Sequence, residues 1–244
     1  MKKFFLLTIS LIFYFGAFAQ YSDSVHYYLG YSASGNVNQT SDGRSYLLNN
    51  TLKAGIRKKK VSFNLNNSWV YGAQNSQLTN NDFQSALDVN FYTAIKHFYY
   101  WGLGNYTTSY SLKINNQLQV GAGGAYSFLD TKAAYLNLSD GILYETSDLY
   151  LQDTVRDVYH TFRNSFRLSF KFSLVKDIIL VNGTGFLQNS LSNSNDYIIR
   201  GNAGLAVKLK KWLALTAGFT YNRFNRTERE NMLFTYGITI DRYF

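Results

Sequence analysis

The chain has no cysteine and no proline in its 244 residues, and only three histidines and two methionines. Lack of cysteine rules out disulfides, thiolate metal sites and a lipid anchor on a lipobox thiol. Lack of proline means that every residue can donate to a β-ladder. Charge is scarce too. Asp, Glu, Lys and Arg make up 16% of the chain, against about a quarter in ordinary soluble domains. No apolar run reaches the roughly 20 residues that a helical membrane span requires. Any passage through a bilayer must therefore use strands. What the chain has in abundance is aromatic side chains, 21 tyrosines and 19 phenylalanines, which suit strands.

The chain begins MKKFFLLTISLIFYFGAFAQ. Lys2 and Lys3 precede an apolar core from Phe4 to Phe15, and Ala17-Phe18-Ala19 has the form of an A-x-A cleavage site. This pattern predicts a cleaved signal peptide over 1–19 and a single exported domain over 20–244. About 225 residues suffice for one all-β domain. The formal charge of +9 falls to +7 when the two leader lysines are removed. For an exported basic chain, anionic lipopolysaccharide or anionic solutes are the expected counter-charges, and nucleic acid is not.

The stretch HTFRNSFRLSFKFSL, residues 160–174, sets the pattern of the whole. Phe162, Phe166, Leu168, Phe170, Phe172 and Leu174 share one parity, interrupted only by Asn164. Arg163, Ser165, Arg167, Ser169, Lys171 and Ser173 share the other. A strict period of two is a strand with one apolar and one cationic face. Similar segments predict twelve strands, at about 26–36, 44–57, 61–74, 83–96, 98–110, 116–128, 132–146, 158–174, 178–190, 196–209, 212–224 and 232–244; ten is the alternative count. Most exceed the soluble average of about five or six residues and reach the roughly ten that a tilted transmembrane strand needs.

Short basic turns are expected after even strands, as in RKKK at 57–60 and KH at 96–97. Longer polar loops are expected after odd strands, at 75–82, 147–157 and 225–230. That asymmetry predicts an outer-membrane barrel with its turns and both termini in the periplasm. The polar faces are rich in Asn, Ser, Thr and Gly rather than charge, which suits an enclosed interior. A closed antiparallel transmembrane β-barrel is the expected fold, with the phenylalanines toward lipid. Trp69, Tyr71, Tyr106, Tyr144, Tyr197 and Tyr221 then form one aromatic girdle. Trp101, Tyr126, Phe128, Trp212 and Phe244 form the other.

By the same parity Arg163, Arg167, Lys171, Arg200, Lys208, Lys53 and Lys96 project into the lumen, with Asp88 and Glu145 as counter-charges. Two outcomes are open. An ionic network fills the barrel, or a hydrated lumen passes small anions. The chain ends MLFTYGITIDRYF, with Tyr236, Ile238, Ile240 and Phe244 on one face. This resembles the terminal signature read by the barrel-assembly machinery.

Catalytic and cofactor chemistry find little support. No metal-ligand spacing or phosphate-cradling loop occurs. His160 and Ser165 fall on opposite strand faces, too far apart for a base–nucleophile pair. GAGG at 121–124 lies within a strand, where glycines make room for a bulky interior neighbour or permit curvature.

The opening YYLGYSASGNVNQTSDGRSYLLNNTLKAG, with Gly35-Asn36 and Thr40-Ser41, resembles the first hairpin of the bacterial salt-induced outer-membrane proteins. LQVGAGGAYSFLDTKAAYLNLSDGILYE, with Gly121, Gly123 and Gly141, is similar to that family's glycine-rich hairpin. LTAGFTYNRFN and DRYF match its closing strands, although the Pro-containing penultimate loop has no counterpart. The resemblance implies an outer-membrane barrel with a domain of unknown function. The expectation is a monomeric, cofactor-free and non-catalytic barrel with a structural envelope role and narrow anion permeation. A lipid-modifying hydrolase using His160, or a binding protein acting through its loops, are the alternatives.

Overall fold

The computed structural model describes residues 27–40, 43–58, 60–131, 133–151, 155–175, 178–210 and 213–240. The expected signal peptide, Trp212 and Phe244 lie outside them. The chain is all β. Twelve antiparallel strands run β1 (Tyr27–Thr40), β2 (Gly43–Lys58), β3 (Val61–Gln74), β4 (Gln77–Tyr92), β5 (Phe98–Ser109), β6 (Ile114–Asp130), β7 (Ala134–Leu151), β8 (Val155–Leu174), β9 (Ile179–Ser190), β10 (Tyr197–Lys210), β11 (Leu213–Phe224) and β12 (Arg229–Ile240). They form one sheet in sequence order. Among the described residues, each strand pairs only with its neighbours in the chain.

The sheet curls strongly. Side chains of β4 and β8 meet across its concave face, as do those of β6 and β10. Alternation then assigns the two faces. On β8 Phe162, Phe166 and Leu168 are exposed on the convex side, while Thr161, Arg163 and Ser165 are buried on the concave side. Phe63, Trp69, Phe83, Leu87, Phe91, Tyr106, Tyr126, Phe128, Tyr144, Leu205, Leu215 and Phe219 continue the exposed apolar surface. Polar residues line the other face. This is the reverse of a soluble sandwich, whose apolar faces would be hidden.

Two sequence expectations are corrected. The loops after odd strands, two to six residues, are about as short as the turns after even ones, two to five. β4 starts at Gln77, so the expected 75–82 loop is a two-residue turn in which Asn75 and Ser76 both have positive φ, 50° and 64°. That is the handedness two-residue hairpins favour. Likewise β7 and β8 extend into 147–157, and β12 begins within 225–230. Polar side chains near a rim do not stop a ladder, because the backbone hydrogen bonds continue regardless of what the side chains prefer.

The second correction concerns Trp101. It was expected in the lipid-facing girdle but is only 6% exposed and sits on the concave side. There its indole N–H donates to the Gly124 carbonyl at 3.1 Å. A Cβ on Gly123 or Gly141 would come within 2.6 Å of its ring. The glycine-rich hairpin therefore opens the space that this tryptophan fills.

Candidate functional site

The concave face of β5–β9 is closed by side chains rather than left as a channel. A polar chain crosses it strand by strand. Gln84 Nε2 on β4 donates to Asn105 Oδ1 on β5 at 2.9 Å, and Asn105 Nδ2 donates to Gln119 Oε1 on β6 at 3.2 Å. Gln119 Nε2 donates to Glu145 Oε2 on β7 at 2.6 Å and to Gln188 Oε1 on β9 at 3.1 Å. Arg163 on β8 then grips Glu145 with both Nε and Nη2, at 2.7 and 2.8 Å. Such fork geometry is the strongest form of a carboxylate–guanidinium contact.

Arg163 is fully buried, as is Glu145. A dry charge pair is tolerable only when the remaining donors and acceptors are met. They are met here. Arg163 also donates to Asp196 Oδ1 at 2.8 Å and to the Asp196 carbonyl at 3.1 Å, from the β9–β10 loop. Tyr159 O–H donates to Glu145 Oε1 at 2.7 Å. Arg226, in the β11–β12 loop, closes the assembly by donating to Asp157 and Asp196 at 2.7 and 3.1 Å, with its guanidinium 3.7 Å from the Tyr159 ring centre. The network pins two loops onto the concave face of the sheet.

Below it the packing becomes aromatic. Tyr99, Trp101, Ala125 and Leu143 form a buried cluster, and Tyr99 O–H donates to Asn137 at 3.2 Å. Arg167 sits at the edge of this layer, 20% exposed. Its Nε donates to Ser139 at 3.0 Å, its Nη1 is 3.7 Å from Asp88, and Trp101 and Phe186 flank the guanidinium.

The expected lumen charges thus separate into two sets. Arg163 with Glu145, and Arg167 with Asp88, are brought together as pairs. Lys53 and Lys208 share the inward parity but remain exposed near the turn end, and Lys171 is half-buried. Arg200 bridges to Gln117 on β6 at 3.1 Å. Lys96 was expected inside but is exposed in the β4–β5 turn, because β4 ends at Tyr92. Asp196, Arg226, Asp157 and Tyr159 were missed. The two loop residues carry no periodic signal, and their partners lie 30 or more residues away.

At the chain's end, the register sets Tyr236, Ile238 and Ile240 opposite Ala217, Leu215 and Leu213. Tyr236 is exposed. Among the described residues no group of His, Cys, Asp and Glu could hold a metal ion. His160 lies exposed on the convex face near the Tyr144 ring, whereas Ser165 is buried on the concave face.

A family described as a protein of unknown function, DUF481, matches residues 30–239. No curated protein matches the chain. Among solved structures, a NanC porin aligns with a TM-score of 0.52 at 9% identity, over 88% of this chain and 100% of the porin's. The translocator domain of the autotransporter NalP from Neisseria meningitidis aligns with a TM-score of 0.46 at 12% identity, over 100% and 95% of the two chains. The porin likeness identifies the fold.

Proposed function

The chain belongs to the DUF481 family, and on that footing we propose that it is a non-catalytic outer-membrane β-barrel of a Gram-negative bacterium. Joining of β1 to β12 in the membrane would remove the two open edges that hydrocarbon does not tolerate. The barrel stiffens the envelope and admits small anions slowly along one flank. It is exported by a cleaved leader, assembled by the barrel-assembly machinery, and sits as a monomer among outer-membrane lipid and lipopolysaccharide. It needs no cofactor and no nucleic-acid partner.

The inverted distribution of side chains carries this reading: a largely apolar exposed surface outside, and a buried ionic network inside. Water would penalise the first and lipid the second, so the wall separates the two solvents as a membrane barrel does. β5–β9 are filled, while β1–β3 and β10–β12 present Lys53, Asn66, Asn202 and Lys208 exposed along the concave side. Positive charge there favours anions.

Planar-bilayer recording of the purified protein tests both halves. Small anion-preferring steps that lose their selectivity when Lys53 and Lys208 become serine are expected. No current at all, or cation preference, would remove permeation and leave the structural role. Hydrolysis of phospholipid or lipid A that disappears in His160→Ala would overturn the non-catalytic reading.

A further inference from the structure

Three other arginines on the concave side each have a carboxylate. Arg163 has Glu145 and Asp196, Arg226 has Asp157 and Asp196, and Arg167 has Asp88. Arg200 differs. No carboxylate lies within 4 Å of it among the described residues, and one of its Nη2 hydrogens goes to the neutral Gln117. Glu145 cannot turn to serve it, because both its oxygens are already held by Arg163, Gln119, Tyr159 and Ser147. The far side of the guanidinium is apolar, with the Phe224 ring centre at 4.9 Å. Phe224 itself belongs to a buried cluster with Leu112, Ile114 and Ile198.

A second, independent feature sits at the same place. Gln117 is fully buried, and its Nε2 has no hydrogen-bond partner. A buried, unmet amide donor costs about 1–3 kcal/mol. The one carbonyl oxygen of that side chain is already engaged by Arg200, so its orientation is fixed and the amide cannot flip to escape the cost. An unmet amide donor and an uncompensated guanidinium therefore lie side by side, on β6 and β10, where the filled part of the interior meets the open flank.

We propose that Arg200 and Gln117 form an anion-binding site for a carboxylate or phosphate group of a small solute. One anion oxygen accepts from a free Nη1 hydrogen of Arg200, and another accepts from Gln117 Nε2. The stack on Phe224 keeps water from one face of the guanidinium, which strengthens the contact. The site deepens the anion-passage reading and rests on it only for the route by which the anion arrives.

The test is equilibrium unfolding by urea of the purified full chain in detergent, titrated with sodium phosphate or sodium acetate against sodium chloride at matched ionic strength. A ligand that binds only the folded state raises the midpoint saturably. A saturable rise is expected for the wild type, and the stronger of the two probes identifies the anion class. Arg200→Gln should abolish the rise. Gln117→Glu should also abolish it, because the new carboxylate occupies Arg200 from within, and that variant serves if Arg200→Gln does not fold. An unchanged wild-type midpoint would overturn the site, as would variants that respond like the wild type; a donor met only by water gives the first result. Because this readout needs no membrane, binding without current would sink permeation and spare the site, and current without binding would do the reverse.

Discussion

The two flanks of the concave face obey one sequence rule and reach different ends. On β5–β9 the inward positions are occupied by partners for one another, so Arg163 is 0% exposed and yet bonded on every side. On β2, β3 and β10 the inward Lys53, Asn66, Asn202 and Lys208 reach open space. Alternation decides which way a side chain points. Whether it is buried depends on long-range chemistry, on what faces it from strands three or four places along the sheet. Stability should accordingly be concentrated in one flank and electrostatic selectivity in the other.

The sharpest way to break that contrast is to remove half of a dry pair. Glu145→Leu should cost about 3–5 kcal/mol, because it strands a buried guanidinium. The combination with Arg163→Met should recover much of that loss. Urea unfolding in detergent micelles reads both, and a cost for Glu145→Leu below about 1 kcal/mol would mean that the pair is wet. Next in size is Gly141→Ala. The added methyl would lie 2.4 Å from the Ala122 carbonyl oxygen as well as 2.6 Å from the Trp101 ring. A loss of about 1–3 kcal/mol is expected. Because backbone is half of the clash, pairing it with Trp101→Ala should fail to rescue it; full rescue would show that the glycines serve the tryptophan alone.

A smaller effect, of opposite sign, tests the convex side of the same flank. Asp140 and Asn164 interrupt the apolar surface there, joined by an Asn164 Nδ2 to Asp140 Oδ1 hydrogen bond of 2.9 Å. Replacing both with leucine should raise stability by about 1 kcal/mol, since a carboxylate facing hydrocarbon is costly. A decrease would mean that this surface faces water or a polar partner. The smallest change is expected on the open flank. Lys53→Ser with Lys208→Ser should alter the unfolding free energy by no more than about 0.5 kcal/mol. A substantial loss would show that the open flank is packed as tightly as the other.

Much of this was legible beforehand. Period-two alternation gave the all-β antiparallel architecture and, on β8, the correct face for the residues from Phe162 to Ser169. The facing of β5 was not legible, because FYYWGLGNY carries aromatics on both parities and glycine at two of its outward positions, Gly102 and Gly104. The pattern consequently puts Trp101 on the wrong side. Loop lengths were misread because polar composition near a rim looks like a loop while its backbone is still in register. Arg163 and Glu145 could be named as lumen residues from parity. Their bonding to each other follows from the β7–β8 register, in which Glu145 pairs with Thr161 and Leu143 with Arg163. Asp196 and Arg226 had no such signal, since loop residues have no parity to follow.

The sheet order has a kinetic corollary. Every described ladder joins strands adjacent in the chain, so each hairpin can add to the last with little loop entropy to overcome. Only the joining of β1 to β12 would bring distant ends together. The slowest event in maturation should then be the zipping of that one seam, and a chain halted just before it would already carry its ionic core.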